Sequence, residues 1–124
     1  MKRLTLFALA CLLGSCSKPV QASSTILGVS LPGALPAERS LDSITKTTQE
    51  MARNFQEECG PVEAFEVVDI TKTRQAITEA ISKQGYQKRL ITTLEGSEVY
   101  TLSGPKRLMV VDTTASIGLC EVTS

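Results

Sequence analysis

The segment RLITTLEGSEVYTLSGPKRLMVVDTTASIGLCEVT, residues 89–123, decides the fold. Four short runs rich in Val, Ile, Leu, Thr and Tyr alternate in it with turn residues such as Gly96 and Gly104. Runs of this kind predict strands, and connections as short as these join antiparallel neighbours. We therefore predict a four-stranded antiparallel meander with strands at 89–94, 98–102, 107–113 and 117–123.

Two amphipathic helices are predicted before the meander. Apolar residues recur at spacings of three and four over about 40–59, and Glu57 near the end of this helix is expected to be solvated. A second helix is predicted at about 72–84, with Thr71 as its N-cap and Gly85 at its C-terminal end. The predicted fold class is α+β, a meander covered on one face by both helices. Short apolar runs within 26–31 and 62–69 leave room for one or two extra edge strands.

This order of elements is similar to that of small secreted bacterial domains, including the β-lactamase-inhibitor-like and PepSY folds. The likeness is one of element order only. No diagnostic motif of either family is present in the sequence, so no function is carried over from them.

The N-terminus has the features of an export signal. A basic start at residues 1–3 precedes an uncharged apolar run at 6–13, which is too short for the roughly 20 residues of a membrane span. The motif LGSC at 13–16 resembles the lipobox of bacterial lipoproteins, which implies lipidation of Cys16 and cleavage before it. VQA at 20–22 is a competing site, at which ordinary signal peptidase would release a soluble secreted protein.

The lipobox interpretation divides the chain into three parts. Residues 1–15 are the signal peptide, and residues 16–37 are the lipidated cysteine with a flexible tether. Residues 38–124 are then a single small α+β domain. The lipid would hold the protein on a membrane, facing the periplasm or the cell surface.

Cys11 is removed with the signal and Cys16 would carry the lipid, so Cys59 and Cys120 are the two remaining cysteines. An even pair of cysteines in an exported chain predicts a disulfide. Cys59 continues the apolar stripe of the first predicted helix, so we expect it to point at the sheet and to bond to the last strand.

Composition argues against the common kinds of enzyme. The chain has no His, which excludes catalysis by imidazole and metal sites with imidazole ligands. It carries 13 basic and 13 acidic residues, and this balance disfavours nucleic acid as a partner. No phosphate-binding glycine loop is present, and no cofactor is expected. Two glutamate pairs, at 63 and 66 and at 95 and 98, are the nearest candidates for acid–base chemistry. A small secreted hydrolase using such carboxylates or a Ser–Lys pair is the alternative function.

Two basic pairs provide the candidate binding residues. Lys88-Arg89 opens the first meander strand and Lys106-Arg107 opens the third. Because alternate strands of a meander run parallel, all four side chains are expected at one end of the sheet. The ordinary explanation is that such charges keep strand ends soluble. The functional hypothesis is a non-enzymatic envelope lipoprotein whose domain binds an envelope protein or an anionic envelope component.

Overall fold

The computed structural model describes residues 21–36 and 41–123 of the 124-residue chain. The predicted signal peptide and Cys16 lie outside the described residues. The described residues form two helices, α1 at Leu41–Asn54 and α2 at Ile70–Gln84. The described strands are β1 Ala22–Ser24, β2 Val29–Leu31, β3 Ala34–Pro36, β4 Glu58–Cys59, β5 Glu63–Val67, β6 Gln87–Leu94, β7 Ser97–Ser103, β8 Arg107–Asp112 and β9 Ser116–Thr123.

The α+β class is confirmed, but the sheet is larger than predicted. Strands β6 to β9 form the predicted antiparallel meander, and β5 and β3 extend it in the order β3-β5-β9-β8-β7-β6. The two-residue β4 also pairs with β9, which makes seven strands, and β1 with β2 forms a separate hairpin. The added strands β3, β4 and β5 are two to five residues long and show no regular alternation of apolar and polar residues. Their pairing is therefore decided by contacts with segments that are distant in sequence.

The two helices cover opposite faces of the sheet, so the prediction that both cover one face is wrong. Met109 and Val111 of β8 pack in one cluster with Ile44 of α1. Leu108 and Val110 point the other way and pack in a second cluster that includes Ile77 of α2. Because successive residues of a strand alternate between faces, a strand buried on both sides is apolar throughout.

Gly118 of β9 allows α1 to lie close against the sheet. A Cβ atom at this position would overlap Thr48 Oγ1 and come within 2.9 Å of Ile44 Cγ1. Thr48 is fully buried there and its hydroxyl donates to the Ile44 carbonyl oxygen at 2.7 Å. Helix α1 therefore packs over β9, β8 and β5, towards the β3 side of the sheet.

Helix α1 ends five residues earlier than predicted, at Asn54. Gln56 adopts a left-handed conformation with φ of 60°. The backbone N–H of Gln56 donates to Arg53 and that of Glu57 donates to Ala52, the pair of bonds that defines a Schellman motif. The chain thus turns back beneath the helix, and residues 58 and 59 form a strand instead of a last helical turn.

Helix α2 begins at Ile70, and its N-cap is Asp69 instead of the predicted Thr71. The Asp69 side chain accepts a hydrogen bond from the Lys72 amide. Gly85 ends the helix as predicted, with φ of 75° and a second Schellman pair of hydrogen bonds. Asp is at least as good an N-cap as Thr. Because Asp69 lies two residues before Thr71, the helix begins two residues earlier than predicted.

The flexible tether predicted for 16–37 does not hold for Ala22–Pro36, which forms β1, β2 and β3. Leu27 and Leu31 are buried in the main core. The carboxylate of Glu63, on β5, accepts hydrogen bonds from the Ser24 hydroxyl at 2.7 Å and from the Thr25 amide at 2.8 Å. The hairpin is therefore fastened to the sheet, and Ala22–Pro36 belongs to the folded domain.

The predicted disulfide is confirmed. Cys59 and Cys120 are bonded, with their Cα atoms 5.5 Å apart and a sequence separation of 61. Cys59 reaches Cys120 from β4, which lies beside β9, and not from the helix that the apolar spacing predicted. In the part of the chain that the structure describes, no helix is both long and apolar enough to span a membrane.

Candidate binding site

An open pocket lies on the α1 face of the sheet, where β6 and β7 extend beyond α1. Its volume is about 580 Å³, which is within the range of small-molecule sites. The turn after α1 forms one wall, and the starts of β6 and β8 form the other. The lining residues are Phe55, Gln56, Glu57, Arg89, Leu90, Ile91, Thr101 and Arg107.

Strand register brings Arg89 and Arg107 to the same face. Arg107 is paired with Ser103 and Arg89 with Thr101, and residues two apart on β7 share a face. Both side chains are solvent-exposed. Two of the four predicted basic residues therefore meet in one pocket.

Arg107 covers a buried carboxylate at the base of this pocket. Its Nη1 lies 2.7 Å from Glu57 Oε2, and the Glu57 side chain is only 7% exposed. No N–H is directed at Oε2, so this oxygen is close to a positive charge but accepts no hydrogen bond. The expectation that Glu57 is solvated is wrong, because the Schellman turn carries it under the helix. A buried carboxylate without a hydrogen bond is costly and is uncommon in folded proteins.

Arg89 has no ion pair among the described residues, in contrast to Arg107. Beside it stand Phe55, which is 46% exposed, and Ile91, which is partly buried against the cluster on the α1 face. A bulge in the β6–β7 pairing at Ile91 widens the strand edge here. The pocket thus combines Arg89, a cation without an ion pair among the described residues, with the exposed apolar side chain of Phe55.

Lys88 and Lys106 do not line this pocket. Lys88 lies on the α2 face, where its Nζ is 3.3 Å from Glu98 Oε1 and 4.3 Å from the centre of the Tyr100 ring. Lys106 is exposed in the turn before β8. The predicted cluster of four cations is therefore divided between the two faces and the turn.

The acidic end of the sheet is paired on the α2 face. Asp112 is 2% exposed, and its Oδ2 accepts a hydrogen bond from Arg74 Nε at 2.7 Å, which raises the pKa of Arg74. The buried phenol of Tyr100 has a raised pKa, chiefly because burial disfavours its charged form. These contacts join α2 to the sheet and leave little free charge on that face.

The proposed acid–base pairs do not form a site. Glu63 pairs with Leu119 and Glu66 with Ser116, which places the two carboxylates on opposite faces of β5. Glu63 is moreover occupied by the β1–β2 hairpin. Glu95 is exposed in the β6–β7 turn, whereas Glu98 is bonded to Lys88. Within 21–36 and 41–123, no three metal-ligating side chains gather.

Comparison with known proteins adds no assignment. No family model, curated protein or solved structure matches the chain. Function is therefore argued from the site alone.

The sequence predicted only two residues of this site, Arg89 and Arg107, because basic pairs flank the strands. Phe55 and Glu57 were not predicted as site residues. The sequence contains no signal for the turn at Gln56, because the apolar stripe continues to Cys59 and the left-handed residue is not a glycine. A left-handed residue other than glycine is strained and is enriched at functional sites.

Proposed function

We propose that this chain is an exported envelope lipoprotein with a non-enzymatic binding domain, and that the pocket beside β6 holds an anionic group of an envelope partner. The observation that carries the proposal is Arg89, which has no ion pair among the described residues and lines one pocket with the exposed Phe55. A concave site that combines apolar side chains with a few charged groups is typical of ligand pockets.

The burial of Ala22 supports the lipid anchor over the alternative cleavage. Ala22 is 1% exposed and pairs with Leu31 in the β1–β2 hairpin. Cleavage after Ala22 would remove this residue and put a charged amino terminus beside Ser24, which is also buried. Cleavage before Cys16 leaves the hairpin whole.

A lipid on Cys16 would also limit how far the anchor lies from the hairpin. Six chain steps separate Cys16 from Ala22, so the anchor can lie at most about 20 Å from β1. The hairpin is fastened to β5, and β6 is four strands further along the sheet, about 19 Å away. The pocket would therefore lie near the β6 edge of the sheet, four strands from the strand that holds the anchored hairpin.

Charge reversal in the pocket tests the proposal. We expect Arg89→Glu in the mature protein to lose most of its retention on native envelope extract, and retention of the unaltered protein to fall as salt rises. Lys72→Glu is the matched control, because it makes the same charge change on an exposed residue of α2. Thermal unfolding of both variants checks that the fold is intact.

Equal retention of Arg89→Glu and Lys72→Glu would contradict the proposal. Arg89 would then be a solubilising residue at a strand end. A loss of retention with both variants would show that only net charge matters, and it would likewise reject the pocket.

A further inference from the structure

The pocket contains both an unused acceptor and an unused cation. Glu57 Oε2 is shielded from solvent and accepts no hydrogen bond, although it faces Arg107. Arg89 has no carboxylate partner among the residues described. An anion alone would satisfy Arg89 but would leave the Glu57 oxygen without a donor.

We propose that the pocket binds a small zwitterion with an apolar side chain, the chemistry of a free amino acid or a short peptide with free termini. This inference rests on the proposed function, because it names the ligand of the same pocket. The ligand carboxylate pairs with Arg89, and its ammonium donates to Glu57. The apolar side chain of the ligand covers Phe55, which is about half exposed, and the adjacent Ile91.

Arg107 makes this exchange feasible. Its side chain is 52% exposed, so it has room to move into solvent, and its 2.7 Å contact with Glu57 Oε2 is an ion pair without a directed hydrogen bond. A ligand ammonium can take its place on Glu57 and keep that buried charge paired. Arg107 then turns towards the ligand carboxylate beside Arg89, where its planar fork of donors suits a carboxylate.

Four leucine derivatives test the proposal on the mature protein held in lipid nanodiscs. Leucine and the dipeptide Leu-Leu carry both charges at different spacings, N-acetyl-leucine lacks the ammonium, and leucinamide lacks the carboxylate. We expect one of the two zwitterions to bind with a Kd at least about tenfold lower than either singly charged analogue, the effect of one hydrogen bond to a charged group. Whether leucine or Leu-Leu binds better distinguishes a free amino acid from a peptide.

Two substitutions that remove a charge show which residue binds the ammonium of the ligand and which binds its carboxylate. In Glu57→Gln, the preference for the zwitterion over N-acetyl-leucine should vanish. In Arg89→Gln, the preference over leucinamide should vanish, whereas Lys72→Gln should change neither ratio. Thermal unfolding shows whether the Glu57 variant still folds, and the Arg89 variant is a second test on an exposed residue.

Equal binding of N-acetyl-leucine and the zwitterions would overturn the role of Glu57, and equal binding of leucinamide would overturn that of Arg89. Binding of none of the four probes up to millimolar concentration would reject this ligand class. If envelope retention still depended on Arg89 in that case, the proposed function would stand with a different ligand.

Discussion

The close approach of α1 to β9 predicts that Gly118→Ala is strongly destabilising. The added methyl group would overlap Thr48 Oγ1 and press on Ile44 in a region without free space. Overpacking of this kind costs about 1–3 kcal/mol, and the ordinary gain from replacing a strand glycine offsets only part of it. A loss of about 2 kcal/mol would lower Tm by roughly 8–16 °C in a domain of this size.

Thermal and urea unfolding of a short variant series would measure this. The double variant Gly118→Ala, Thr48→Ala removes the overlapping hydroxyl, so its loss should be smaller than the sum of the single losses by about 1 kcal/mol. Gly60→Ala is the control, because a Cβ there meets only the Glu121 carbonyl oxygen, at an ordinary 3.5 Å. If Gly118→Ala were as stable as Gly60→Ala, or if the two losses were additive, the described packing of α1 on β9 would be refuted.

The remaining predictions concern local features. The Cys59–Cys120 disulfide closes a loop with a sequence separation of 61. Its reduction should lower the free energy of unfolding by about 4 kcal/mol on the chain-entropy model, and urea titration with and without reductant measures this difference. Gln56→Gly should raise stability by about 1 kcal/mol, since φ is 60° there; an unchanged urea midpoint would count against the left-handed turn. The raised pKa of Tyr100 implies that its stabilising contribution, complete below pH 10, is lost as pH rises further; ultraviolet titration should show its ionisation coinciding with alkaline unfolding. Cys16→Ser should abolish membrane fractionation, and an intact mass starting at Ser23 without lipid would disprove the anchor.

Local patterns predicted the elements better than their assembly. The meander strands were correctly located because each run is bounded by turn residues, and Gly85 was correctly placed because a left-handed cap favours glycine. The faces of the sheet that the two helices cover were not correctly predicted. The run of four apolar residues at 108–111 indicates burial on both sides of the sheet, but it does not show which helix covers which face.

The site was only partly predictable for a related reason. Flanking charges identify Arg89 and Arg107 without knowledge of the fold. Whether two such residues share a face depends on strand register, which one residue of slip would reverse. Glu57 enters the pocket only because the chain turns back at Gln56, and a helical stripe gives no sign of that turn.

By itself the sequence determined the α+β class, the meander and the pairing of Cys59 with Cys120, since these follow from composition, periodicity and the spacing of turn residues. Only the tertiary structure decided that residues 22–36 belong to the fold, that the helices lie on opposite faces, and that Arg89 meets Glu57 and Phe55. These features depend on contacts between segments tens of residues apart. Such contacts are selected by the packing of the whole chain, because no local segment contains the energy that favours one arrangement over another.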